Sequence, residues 1–175
     1  LLPVLPYIND SGALEKVVTS FYQGNENEKE VAFEALKNWQ NQESVRTLLA
    51  IRKNESLKKY HGQALYAFIS QTGKSSWPDD QKLLMLREIM PLASARNEKI
   101  AVLRAAGNVR TFLSLMFVSN YLDDAELSSA ASRAVIQIAL PTSDAKPGLT
   151  GVEVRKILER ILDKLTGEDS QYERI

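Results

Sequence analysis

The chain has 175 residues, of which 44% are hydrophobic and 25% charged, and its 22 basic and 22 acidic side chains cancel. This composition is typical of a folded globular protein, and zero net charge provides no general attraction to nucleic acid or to a membrane surface. The absence of cysteine excludes disulfides, thiolate metal sites and a cysteine nucleophile. No apolar run approaches the ~18 residues that span a bilayer, so no membrane insertion is expected.

The first half of the chain is predicted to form four helices. Residues 1–9 resemble the tail of a helix, and a start at leucine suggests a piece of a longer protein. Residues 11–23 place apolar side chains on one helical stripe, which Gly24 ends. Similar stripes predict helices over 28–39, 43–53 and 57–72, the last ended by Gly73.

The second half opens with Ser76-Trp77-Pro78-Asp79, which offers a serine cap and a first-turn proline for the next helix. Residues 81–93 and 111–122 are apolar on most sides, which predicts helices buried between layers. Capping-box spacings at Asp123 and Thr150 predict two further helix starts. Residues 141–150 form a loop before the last helix, and residues 168–175 form a polar tail.

A helical repeat returns every 29 to 38 residues. The segments AFEALKNW, GQALYAFI, AVLRAAGN and SRAVIQIA align by their small–aliphatic pairs, which begin at Ala35, Ala64, Val102 and Ala134. A second helical stretch follows each segment, and no stretch alternates with the period of a strand. The pattern predicts an all-α, right-handed superhelix of about four helix pairs, a solenoid that presents a surface.

This repeat is similar to HEAT repeats of the armadillo-type class. Four segments resemble the HEAT-repeat region of exported Bacteroidetes proteins that also carry a 3-keto-disaccharide hydrolase-type domain: EVAFEALKNWQNQESVRTLL, DDQKLLMLREIMPLA, NEKIAVLRAAGNVRTFLSLMFVSNYLDD and ALPTSDAKPGLTGVEVRKILERIL. The resemblance implies a single, non-catalytic repeat domain over residues 1–175, excised from a longer protein. It also implies a periplasmic or cell-surface location and a partner among neighbouring domains or other proteins.

The chemistry-bearing residues are few. His61 is the only histidine and is expected to be packed or half-buried. The pairs Asp79-Asp80 and Asp123-Asp124 are expected at helix starts, where backbone N–H groups favour negative charge. Glycine-rich phosphate loops and calcium-loop motifs are absent. We therefore predict no catalytic residue, no cofactor and no metal.

The possible binding residues form one charged cluster and one aromatic. Residues 51–104 hold ten basic and five acidic side chains, and their main cluster comprises Arg52, Lys53, Lys58 and Lys59. Such a cluster is either a solvated connection or the rim of an anion site. The aromatic residues are expected in the core, with Trp77 as the exposed candidate. A carbohydrate-binding module is the main alternative to a scaffold, and a DNA-binding solenoid is disfavoured by the lack of a sustained basic stripe.

Overall fold

A computed structural model describes residues 11–39, 41–141 and 147–163. These residues form nine α-helices, three short 3-10 helices and no strand, which confirms the all-α class for this part of the chain. The chain divides into two compact units, Leu1–Trp77 and Pro78–Ile175. No described helix is both long and apolar enough to cross a membrane. The single domain expected over 1–175 stays a prediction.

The first unit contains α1 (Ser11–Gln23), α2 (Glu26–Lys37), α3 (Val45–Lys53) and α4 (His61–Lys74). Short 3-10 helices, Gln42–Ser44 and Glu55–Tyr60, precede α3 and α4. Helix α1 packs against α2, α3 packs against α4, and α2 also contacts α4. The bounds of α1 are those predicted, whereas α2 starts two residues early, at an Asn25–Glu28 capping box.

Aromatic rings form the centre of the first unit. The ring centroids of Phe33 and Tyr60 lie 4.6 Å apart, and Phe21 lies 5.8 Å from Phe33 and 5.2 Å from Tyr60. The predicted core residues Trp39 and Phe68 are also buried, although Trp39 lies beyond the end of α2. The cluster of Phe21, Phe33 and Tyr60 packs α1, α2 and the segment before α4 against one another and stabilises the unit by burying large apolar areas.

The second unit contains α5 (Asp79–Ile89), α6 (Arg96–Gly107), α7 (Phe112–Ser119), α8 (Ser128–Ala139) and α9 (Val152–Leu162). A 3-10 helix, Met90–Leu92, extends α5. Helix α8 packs against α6, α7 and α9, and α5 contacts α6 and α7. Fully buried side chains from α6, α7, α8 and α9 build the core, among them Val102, Leu103, Leu115, Val118, Val135, Ile138 and Ile161.

The predicted helix start at Asp123 is wrong, because α8 begins at Ser128. The Asp124 carboxylate accepts hydrogen bonds from the backbone N–H groups of Glu126 and Leu127, at 2.9 and 3.0 Å. An aspartate that bonds its own neighbouring backbone favours a turn over a helix interior. The chain therefore turns here before α8 starts.

Three other local predictions also fail. Helix α9 begins at Val152 after Gly151, which has φ 129° and makes no side-chain cap, so the Thr150 capping box does not form. Pro78 is itself the N-cap residue of α5, which lacks the expected serine cap. Helix α4 continues through Gly73 to Lys74, because that glycine has ordinary helical backbone angles and open space around it. The stop expected at Gly167 and the tail 168–175 lie outside the described residues.

Candidate functional site

The predicted basic cluster lies at the end of α3 and in the segment before α4. Arg52 is buried, whereas Lys53, Lys58 and Lys59 are exposed. Lys58 Nζ lies 3.0 Å from the Glu55 carboxylate in an exposed ion pair. The cluster therefore spans a buried face and a solvated one and does not form a uniform cationic rim.

Lys59 is already neutralised by carboxylates of α2. Its Nζ lies 2.5 Å from Glu30 and 3.4 Å from Glu26. Hydrogen bonds from Lys59 hold the pKa values of both carboxyl groups below their usual range, and the bond to Glu30 raises the pKa of Lys59 itself. An added anion would have to compete with these two glutamates.

Trp77 ends the first unit and is half-buried. The structure assigns it no hydrogen-bond or ring partner among the described residues. Its role in binding stays a prediction.

The groups considered for catalysis are engaged in structure. His61 is half-buried, as predicted, and its Nε2–H donates to the Asn54 carbonyl oxygen at 2.9 Å. Asp79 and Asp80 lie in the first turn of α5, as predicted, whereas Asp123 bonds Arg160 at 2.8 Å. Within the described ranges, no three His, Cys, Asp or Glu side chains group as metal ligands would.

An arginine-lined groove lies between α6 and α8. Arg96, Ile100 and Arg104 follow one another at four-residue intervals on α6, and such residues share a helix face. Ser129, Arg133 and Gln137 have the same spacing on α8. These side chains line a cavity of about 240 Å³ together with Glu126, Ala130 and Ala134.

The two walls of this groove are fixed by short-range contacts. The buried Glu98 carboxylate accepts from the backbone N–H groups of Ser94 and Ala95, at 2.8 and 3.2 Å, and so caps the start of α6. At the other end, Gln137 Nε2 donates to Asn108 Oδ1 at 2.7 Å. The first set of bonds defines where α6 starts, and the second joins the C-terminal end of α6 to α8.

The three arginines of the groove differ in whether they already have a partner within the chain. Arg96 Nε donates to the Glu126 backbone oxygen at 3.1 Å, and Glu126 also supplies the one carboxylate among the described lining residues. Arg104 and Arg133 are exposed, and no carboxylate of the described residues pairs with either of them. The middle of the groove therefore carries two guanidinium groups that remain available to an anion.

In the first unit, two lysines near the contact between α2 and α4 have partners within the chain. Lys37 Nζ donates to the side-chain oxygen of Gln63 at 2.6 Å and pairs with Glu34, while Lys59 pairs with Glu26 and Glu30. These two lysines are thus compensated within the chain. The α6–α8 groove, in contrast, has two arginines on its walls that pair with no carboxylate of the described residues.

Arg96 and Arg104 belong to the basic region of residues 51–104, but no sequence pattern distinguished them from its other basic residues. Arg104 and Arg133 are 29 positions apart, as are Asn108 and Gln137. A comparison of polar residues at the repeat period would have paired them. The apolar alignment alone could not, because it follows the buried faces of the helices.

A second surface is the exposed apolar face of α7, formed by Phe112, Leu113 and Met116, which are 46%, 56% and 38% exposed. The predictions that this helix is buried between layers and that Phe112 lies in the core are therefore wrong. Helix α7 contacts α5, α6 and α8, and its Leu115 and Val118 are fully buried, whereas Phe112, Leu113 and Met116 remain exposed.

Comparison with protein-family models, curated proteins and solved structures finds no match to this chain. The HEAT-repeat resemblance therefore stays a prediction.

Proposed function

We propose that this chain is a non-catalytic helical-repeat module that binds protein, with its helices stacked as a HEAT-like superhelix. Support comes from side-chain hydrogen bonds that join residues about one repeat apart. Within the first unit they link Lys59 to Glu26 (33 positions) and Gln71 to Leu36 (35 positions). Within the second they link Arg96 to Glu126 (30) and Asn108 to Gln137 (29). Contacts mainly between adjacent repeats are characteristic of solenoid proteins.

The observation that carries the binding role is the apolar face of α7. Phe112, Leu113 and Met116 are adjacent or one helical turn apart, and α7 contains no charged residue. Exposed apolar groups clustered on one helix favour an interface, because burying them removes apolar area from water. Aromatic residues and methionine are also enriched at protein interfaces. The partner surface is accordingly an apolar face of another protein or of a neighbouring domain.

The HEAT-repeat resemblance extends this proposal to the whole protein and its location. On that basis, the module positions neighbouring domains of an exported carbohydrate-processing protein, in the periplasm or at the cell surface. Such a role needs no catalytic residue in this segment.

A carbohydrate-binding role is the second candidate, favoured by a polar groove in the first unit. The groove has a volume of about 390 Å³ and is lined largely by amide, hydroxyl and lysine side chains, among them Asn38, Asn41, Gln42, Ser70, Lys74 and Ser76. Such groups match the hydroxyls of a sugar. Titration calorimetry with disaccharides would detect this binding. The absence of any heat of binding would contradict the carbohydrate-binding role.

Photo-crosslinking in the source cells tests the protein-binding role. A benzophenone amino acid replaces Phe112 or Leu113, and the control places it at Tyr66, whose 47% exposure matches the 46% of Phe112. We expect one crosslinked product from both α7 positions, with the same partner peptide identified by mass spectrometry. Crosslinking no stronger than at Tyr66 would contradict the proposal.

A further inference from the structure

We propose that the α6–α8 groove binds an acidic peptide segment through Arg104 and Arg133. The inference rests on the groove residues alone and does not require the α7 face to bind anything. It names a second binding surface and the chemistry of its ligand.

The charge arrangement favours a carboxylate. Arg104 and Arg133 project from two different helices into one cavity, and neither has a carboxylate partner among the described residues. A guanidinium group binds carboxylates through two parallel N–H donors, which gives geometric specificity as well as attraction. Glu126 lies at the Arg96 end of the groove, and its repulsion directs an acidic group toward the two arginines.

The rest of the lining favours a peptide over a nucleic acid. Ile100, Ala130 and Ala134 supply an apolar floor suited to aliphatic parts of side chains. Aromatic residues, on which bases would stack, are absent from the described lining. The volume of about 240 Å³ is enough for a few side chains of a peptide.

Gln137 provides a contact for the peptide backbone. Its Nε2 is engaged by Asn108 at 2.7 Å, which fixes the orientation of the amide. The carbonyl oxygen of the same side chain lies 3.2 Å from where a Cβ would stand at Gly107, and Gln137 itself is exposed and lines the cavity. An amide oxygen held in this way can accept a peptide N–H.

The test uses fluorescein-labelled poly-L-glutamate of about 50 residues and the protein at low salt. Fluorescence anisotropy is measured for the unaltered chain, for the double variant Arg104→Gln/Arg133→Gln and for the control Arg46→Gln/Arg155→Gln. The control removes the same charge from exposed positions outside the groove. Circular dichroism melting checks that both variants keep their fold.

We expect the groove variant to bind at least about tenfold more weakly than the control, because two charge-assisted contacts are lost. Side-chain amide resonances of Gln137 and Asn108 should shift on titration, which locates the ligand. Equal weakening by both variants, or no binding of poly-L-glutamate, would overturn the proposal. Tighter binding of duplex DNA of the same charge through the same arginines would replace it with nucleic-acid binding.

Discussion

Gly107, at the end of α6, lies directly against the backbone of Ala134 in α8. A Cβ atom built on this glycine would stand 3.2 Å from Ala134 Cα and 3.3 Å from Ala134 Cβ. Real Cβ contacts are rarely this short, so the two helices approach as closely as the glycine allows. This contact sets the separation of the two walls of the arginine-lined groove.

Gly107→Ala should destabilise the protein by about 1 kcal/mol. Alanine gains up to about 1 kcal/mol of helix propensity over glycine, but forcing extra volume into a packed contact costs about 1–3 kcal/mol. Gly73→Ala is the matched control, because that helical glycine is exposed and has no atom within 4 Å of its Cβ position. Urea unfolding followed by circular dichroism measures both variants, and we expect Gly73→Ala to be neutral or stabilising. Equal changes in the free energy of unfolding for the two variants would contradict the close approach of Gly107 to Ala134.

Gln71→Leu should destabilise the first unit by about 2 kcal/mol, because it leaves buried polar groups without their partner. The buried Gln71 amide donates to the carbonyl oxygens of Leu36 and Lys37, at 2.8 and 3.1 Å, and accepts from the Ser44 hydroxyl. Urea unfolding followed by tryptophan fluorescence measures the loss, since both tryptophans lie in this unit.

The control is Gln63→Leu, the same change at an exposed position that bonds only the Lys37 ammonium. Exposed substitutions of this kind usually change stability by no more than about 0.5 kcal/mol. A similar decrease in the free energy of unfolding in both variants would contradict a stabilising role for the buried Gln71 hydrogen bonds.

Lys59→Met should raise the pKa of the Glu30 carboxyl group toward its usual value. The Lys59 hydrogen bond lowers the pKa of Glu30 in the folded state. The bond therefore stabilises the fold fully above the unfolded-state pKa of a glutamate, about 4.3. This stabilisation is lost as the pH falls through the folded-state pKa of Glu30. Carbon-13 NMR titration of the glutamate carboxyl groups measures the shift directly.

Lys58→Met serves as the comparison for this titration, because Lys58 pairs with Glu55 and not with Glu30. It should raise the pKa of Glu55 and leave that of Glu30 unchanged. Both effects should shrink at high salt, since the pairs are exposed and screened. A Glu30 pKa that does not respond to Lys59→Met would contradict the ion pair.

Local sequence patterns located most of the helices because each helix must bury one apolar stripe. The period of Leu14, Val17, Val18 and Phe21 predicted α1 with its observed bounds. The small residues of three aligned repeat segments, Ala35, Ala64 and Ala134, are buried in the structure. Capping motifs were less reliable, since Asp124 uses its carboxylate to hold a turn and α9 starts without a side-chain cap.

The sequence by itself determined the all-α class of the described residues, because this class depends on periodicity along each single helix. Only the tertiary structure decided which charges are compensated. Lys59 meets glutamates of α2 from 29 and 33 positions away, whereas Arg104 and Arg133 line a shared groove without a carboxylate partner among the described residues. Tertiary packing likewise left one side of α7 exposed, since a helix that is apolar all round gives no indication of which face its neighbours will cover.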